Sequence, residues 1–151
     1  MISLKHNFLF VHIPKTAGNS IQSILKDYSE DEIVCFAAHQ DGIERFDIRN
    51  PIFNIRKHST LYEYQREIEE TVFNKLFKFT CVRNPWDRLM SFYFAPFRGK
   101  NIQWDRNVFL RVIQECASAP AYVRLRNSDS EKRPFGNMNF IMRFENLNED
   151  F

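Results

Sequence analysis

Nowhere does the 151-residue sequence hold an apolar run near the ~18 residues that a bilayer crossing needs, so no transmembrane segment is expected. Its start, MISLKHNFLFVHIPK, has one short apolar stretch that runs straight into a loop. No small-residue cleavage site follows, so no secretory signal is read. Cysteine is scarce. Cys35, Cys81 and Cys116 are odd in number and lack Cys-x-x-Cys spacing. That pattern argues against a disulfide frame or a zinc site, and for reduced thiols in a cytoplasm. Neither charge dominates either: 21 Lys and Arg stand against 19 Asp and Glu, too even a balance for a nucleic-acid coat protein. Low hydrophobicity is also absent, since 44% apolar residues exclude a disordered chain. Repeats, low-complexity tracts and linkers are missing, and the length suits a single domain over 1–151. What the chain has in quantity is phenylalanine. With 16 of them, rings are expected to fill much of the core.

The order of elements reads as α/β. Residues 8–13, FLFVHI, predict a buried strand, and the Pro- and Gly-containing PKTAGNS that follows predicts a loop. Ile21, Ile24 and Leu25 then predict a helix from about Asn19 to Tyr28. Strand, loop and helix together open an α/β fold. Residues 33–36 predict a short strand, and Asn50-Pro51 a turn. Thr60 and Glu63 fit a capping box ahead of one helix running to about Asn74, with Leu61, Tyr64, Ile68 and Val72 on its inner face. A second core strand is expected over 76–82. Asn84 and Pro85 then suit the start of a helix with Trp86, Leu89, Met90 and Tyr93 on its apolar side. Another helix is expected from Asp105 to Cys116, with Phe109, Val112, Ile113 and Cys116 inward, then a polar loop over 117–137 and a third strand over 139–144. Asn148 is placed as the cap of a final helix.

Two loops could carry chemistry. Pro14-Lys15-Thr16-Ala17-Gly18-Asn19-Ser20 lies between strand and helix, where backbone N–H groups and the helix dipole favour an anion. Lys15 adds a charge, Thr16 and Ser20 add hydroxyls, and Gly18 lets the backbone approach a ligand. Lys15 precedes the glycine, so this is not a Walker A loop, and no strand ending in a magnesium-binding Asp is seen. An ordinary βα turn with a surface lysine is the plainer alternative. The second loop is Arg83-Asn84-Pro85-Trp86-Asp87-Arg88, with Ser91 beyond. Arg83 leaves a buried strand at the end where α/β folds place ligand groups, and its guanidinium can grip a phosphate. Ser91 could donate to the same phosphate. A salt bridge from Arg83 to Asp87, and a plain surface hydroxyl for Ser91, remain open.

FVHIPKTAGNS, FTCVRNPWDRLMSFY and FIMRFENLNEDF, in this order and with KHST between, resemble sulfotransferases that use 3′-phosphoadenosine 5′-phosphosulfate (PAPS), nearest to the branch of bacterial and Golgi carbohydrate enzymes. The likeness spans residues 8–151 and is dense only in those blocks. It implies a P-loop-like, three-layer fold with a central, mainly parallel sheet flanked by helices. It also implies that Lys15, Thr16, Ala17, Gly18, Asn19 and Ser20 form the 5′-phosphosulfate loop. Arg83 and Ser91 match the pair on the 3′-phosphate, and Lys15 is expected to be catalytic. No metal is expected, because the transferred group carries less charge than a γ-phosphoryl group. His58, in the KHST element just before a helix, is the expected base, kept neutral by the helix N-terminus. His39 and Glu63 are the alternatives, while His12 reads as a packed, hydrogen-bonded core residue and His6 as solvated.

The acceptor side is thinly encoded. Residues 98–133 hold eight Lys and Arg against four acids, either a solvated face or a rim for an anionic glycan. Trp104 and Tyr122 could stack on sugars or belong to the core. Similar domains continue past the FENLNEDF block with further helices, so a domain shortened at its C-terminus is expected: a short member, a fragment or the product of a truncated gene. An ATP-dependent P-loop-like phosphotransferase and a non-catalytic remnant that binds 3′-phosphoadenosine 5′-phosphate (PAP) are the other readings. The oligomeric state is not encoded.

Overall fold

The computed structural model describes residues 1–40, 43–97, 100–125, 133 and 135–151; of residues 36–40, 43, 44 and 97 it describes the backbone only. Among these, four strands make the central sheet, in the order β1 (Ile2–Ser3), β2 (Phe8–Val11), β5 (Phe77–Val82), β6 (Phe140–Arg143). β1 turns back antiparallel on β2, with Ile2 opposite Leu9. β2, β5 and β6 run parallel, pairing Phe8 with Phe77 and Phe79 with Phe140. The two core strands expected over 8–13 and 76–82 therefore lie side by side. β3 (Glu32–Gln40) and β4 (Ile43–Arg49) form a separate antiparallel ribbon, longer than the short strand expected there, with register shifts after Cys35 and Ala37.

Side-chain alternation splits the core into two layers. Leu9, Val11 and Ile13 pack with Leu61, Tyr64, Ile68, Phe73 and Val123 of the helices on one face. Phe10, Phe79 and Met142 pack with Ile21, Phe46 and Ile48 on the other. The result is a mixed α/β, P-loop-like arrangement: α2 (Leu61–Glu67), α3 (Glu70–Lys75) and α6 (Ala119–Val123) cover one face, α1 (Gly18–Leu25) and the ribbon the other. α4 (Pro85–Phe94), α5 (Arg106–Glu115) and α7 (Leu147–Asp150) complete the fold. None of the helices is long and apolar enough to cross a membrane among the described residues.

Several expectations change. The helix expected through Asn74 breaks at Ile68, whose backbone is extended. In one continuous helix Ile68 and Phe73 would point about 140° apart. The break lets both enter the core, at 4% and 3% exposure. The expected 117–137 loop contains α6, because Val123 is drawn fully into the core. Residues 126–132 and 134 of that stretch lie outside the described residues. The first helix ends at Leu25 and tightens into a 3-10 turn over Lys26–Tyr28. On α4, Trp86 points to solvent while Arg88 is buried. On α5 no residue is fully buried, and Ile113 is exposed. α7 takes Asn146 as its cap position, not Asn148, which lies within it. The rings are divided too: Phe10, Phe46, Phe73 and Phe79 are buried, but Phe77, Phe94, Phe140 and Phe151 are exposed.

Candidate active site

β2 delivers the chain into its loop with unusual backbone. Lys15 and Ala17 both hold left-handed φ, at 69° and 67°. For non-glycine residues such conformations cost about 1–3 kcal/mol each, so something must hold them. The Thr16 hydroxyl donates to the Ile13 carbonyl at 2.8 Å, and Ile21 N–H donates to the Ala17 carbonyl at 3.2 Å. Arg88, reaching across from α4, donates through Nε to the Pro14 carbonyl and through Nη1 to the Ala117 carbonyl, each at 2.9 Å. Gly18 is required for a reason internal to the protein. A Cβ there would lie 1.9 Å from Cδ2 of His12, so the buried ring occupies the space any side chain would need.

The second loop is held from β6. Glu145 accepts from the Asn84 N–H at 2.7 Å, and this bond holds its carboxyl below the usual range. Asn84 in turn accepts from Trp86 N–H at 3.0 Å, capping α4 as expected. Arg143 faces Asp150 across 3.9 Å, so Arg143 and Glu145 brace this corner. The Arg83 guanidinium lies 4.0 Å over the Phe144 ring, with its Nε buried and unpartnered, and makes no ion pair with Asp87.

The third contribution comes from the segment before α2. Thr60 and Glu63 form the full capping box. Just ahead of it, His58 Nδ1 lies 3.2 Å from the His12 carbonyl, and the two imidazole rings are 4.4 Å apart. A carbonyl can only accept, so His58 Nδ1 carries the proton and Nε2 keeps its lone pair. Partial burial lowers the His58 pKa, helped by Lys57 and opposed by the His12 carbonyl. His12 is 3% exposed, and burial pushes its pKa well below 6.5, with His58 and Lys57 adding to the effect and Gln22 pulling weakly the other way. Its Nδ1 has no hydrogen-bond partner, against the expectation of a satisfied core histidine.

These parts meet at one cavity of about 460 Å³. Lys15, Ala17, Gly18, Asn19, Ser20, Arg83, Ser91 and His58 all line it; Thr16 does not, since its hydroxyl is turned inward to Ile13. Sequence reasoning missed Arg45 and Lys57, which line it as well, and the exposure of His12 to it. Lys57 had a signal, its place beside His58. Arg45 had none, because only the packing of the ribbon brings it there. No carboxylate is among the described residues of the lining. The side chain of His39 lies outside the described residues, as do Arg98, Arg126 and Lys132 of the basic stretch. His6 is exposed, edge-on to Tyr28. Trp104 packs at a tilt against Tyr93 and Phe109, with ring centres 4.7 and 4.8 Å apart, and Tyr122 lies beside Arg88; neither lines the cavity.

Fold and cavity together define an α/β protein with a cavity at the strand ends lined by Lys15, Arg45, Lys57 and Arg83. A family profile described as the sulfotransferase family matches residues 1–151, and the chain belongs to that family. Its reaction class is accordingly sulfuryl transfer. No curated protein and no solved structure matches.

Proposed function

We propose that the protein transfers a sulfuryl group from PAPS to a hydroxyl of an acceptor, a carbohydrate being favoured by the resemblance to carbohydrate sulfotransferases. The observation that carries this is the single cavity lined by Lys15, Arg83, Ser91 and His58, from three separate parts of the chain. The lining suits a multiply anionic donor. Lys15, Arg45, Lys57 and Arg83 bring positive charge, no carboxylate is among the described lining residues, and the buried Arg83 Nε lacks a partner that a phosphate oxygen would supply. When bound, PAPS supplies a sulfuryl group carried on a phosphate leaving group.

The residues divide the work. Arg83 and Ser91 would hold the 3′-phosphate, and the 15–20 loop the 5′ end. Lys15 would offset charge that builds on the departing oxygen, an interaction strongest in the transition state. His58, neutral at pH 7 and oriented by the His12 carbonyl, accepts the acceptor's proton at Nε2. Cys35, Cys81 and Cys116 form no disulfide among the described residues, which suits a reducing compartment, and we place the protein in the cytoplasm; recovery in a stably membrane-bound fraction would contradict this.

Thermal unfolding with PAP, set beside ATP plus magnesium, tests the reading. A ligand at a hundredfold excess over its dissociation constant adds about 2.7 kcal/mol of stability. PAP should raise the midpoint and ATP with magnesium should not. The reverse result would favour a phosphotransferase, and PAP binding without transfer to any acceptor a non-catalytic module.

A further inference from the structure

His12 directly follows β2 and lines the cavity. Its carbonyl orients His58, and this leaves the ring itself without a task. The ring is closely packed. It meets the His58 ring at 4.4 Å and 57°, and stacks at 21° on the Phe10 ring, 6.1 Å away. Its Cδ2–Nε2 edge lies against Gly18, where a Cβ would come within 1.9 Å of Cδ2 and 2.1 Å of Nε2. Nδ1 is on the opposite side of the five-membered ring and is buried. Nε2 is therefore the ring nitrogen left to face the cavity, beside the 15–20 loop.

Gln22 stands one turn after Gly18 on α1, so the two share the helix face turned toward His12. Its side chain is fully buried, and its amide acts on the His12 ring. Yet Nδ1 of His12 and both polar atoms of the Gln22 amide complete no hydrogen bond among the described residues. Unpaired polar atoms this deep are costly, and two neighbouring side chains share the cost. A small turn of the amide satisfies them. With its NH2 toward Nδ1, the lone pair lies on Nδ1 and the proton on Nε2. With its carbonyl toward Nδ1, Nε2 would present a lone pair to a loop built for an anion, and would repel the anion's oxygen. Burial keeps the ring uncharged in either case.

Resting on the sulfuryl-transfer reading, we infer that the His12 ring binds PAPS by donating its Nε2–H to an oxygen at the 5′ end, and that Gln22 positions it by fixing the ring's tautomer. The two neighbouring imidazoles then hold opposite tautomers. His58 has its proton on Nδ1 and a lone pair on Nε2, ready to receive a proton; His12 has the reverse. A neutral N–H gives the oxygen a direction without adding charge to that of Lys15. With Nε2 already protonated, His12 does not compete with His58 for the acceptor's proton. Gln22 touches no ligand and acts only through His12.

Long-range proton–nitrogen NMR of the full chain with isotopically labelled histidines reads the tautomers at pH 7. His12→Asn and His58→Asn assign the signals. With PAP bound, His12 should be protonated on Nε2 and His58 on Nδ1. Adding PAP should shift the His12 Nε2 resonance, and adenosine 3′-phosphate, which has no 5′-phosphate, should not. Gln22→Met should leave His12 a mixture of tautomers. Calorimetry gives the second readout. His12→Asn keeps a nitrogen near the Nδ1 position and loses Nε2, so PAP affinity should fall about tenfold while adenosine 3′-phosphate binds as to the parent. His12→Gln, whose amide nitrogen can reach the Nε2 position, should recover most of the loss. A His12 protonated on Nδ1 in the PAP complex overturns the inference, and so does a folded His12→Asn that binds PAP like the parent. Should that variant not fold, the tautomer and the PAP-induced shift in the parent decide. If PAP does not bind the parent at all, the sulfuryl-transfer reading falls and takes the inference with it; PAP binding that leaves the His12 Nε2 resonance in place removes the inference alone.

Discussion

Arg83, Lys15 and His58 meet the same cavity but should fail differently when replaced. Arg83 would contact its phosphate in ground and transition states alike. Arg83→Ala should weaken PAP binding by about 2–3 kcal/mol, read by calorimetry. Lys15→Ala should lower kcat more than it weakens PAP binding, because the charge it offsets is largest in the transition state. His58→Ala should leave PAP affinity near the parent's and slow turnover by about 10²–10⁴. Full turnover in that variant would move the base elsewhere, with Glu63 or His39 next to test. The lowered pKa of His58 puts the acid limb of kcat below pH 6.5, since activity is lost only once Nε2 is protonated. Gly18 shows the limit of reading such positions from sequence. A glycine in a loop with a lysine looks like room for a ligand, and Gly18 does line the cavity, but it also makes room for the His12 ring.

Elements hold these residues in place, and their ends matter more than their middles. The Thr60–Glu63 capping box begins α2 two residues after His58. Thr60→Ala should cost about 1 kcal/mol of stability and loosen His58, so kcat should fall while PAP affinity holds. Arg88 is the larger anchor, joining α4 to the β2 loop and to the Ala117 carbonyl. Arg88→Ala would leave two carbonyls without a donor, and chemical denaturation should report a loss of about 3–5 kcal/mol. Retained stability in Arg88→Ala would show that the left-handed Lys15 and Ala17 are held by the loop itself. The Thr60–Glu63 capping box and the Asn84-Pro85 start were legible because they are short-range patterns. The break at Ile68 was not, since it depends on where the sheet puts the core that Phe73 must reach.

At the scale of the whole molecule, two histidines that resist protonation make stability depend on pH. Unfolded, His12 and His58 take up protons near pH 6.5; folded, both titrate lower. The unfolded state therefore binds more protons as pH falls below 6.5, and stability falls with it, by up to about 1.4 kcal/mol per pH unit for the buried His12 and by less for the exposed His58, whose charge solvent screens. The melting midpoint should drop between pH 7 and pH 5, and the drop should be shallower in His12→Asn; equal slopes would remove His12 from the account. The sequence by itself determined the α/β order of elements, the caps at Thr60 and Asn84, the two loops at strand ends and, through its three dense blocks, the family. These follow from local chemistry: hydrophobic period, turn residues and short motifs act within a few positions. Only the tertiary structure decided that Arg45 and Lys57 join the cavity, that His12 orients His58 through its carbonyl, and that Arg88 is an internal anchor and not part of a surface motif. Each of these is a contact between segments far apart in the chain, fixed by parallel strand pairing and by the ribbon packing on the sheet, and no local pattern records it.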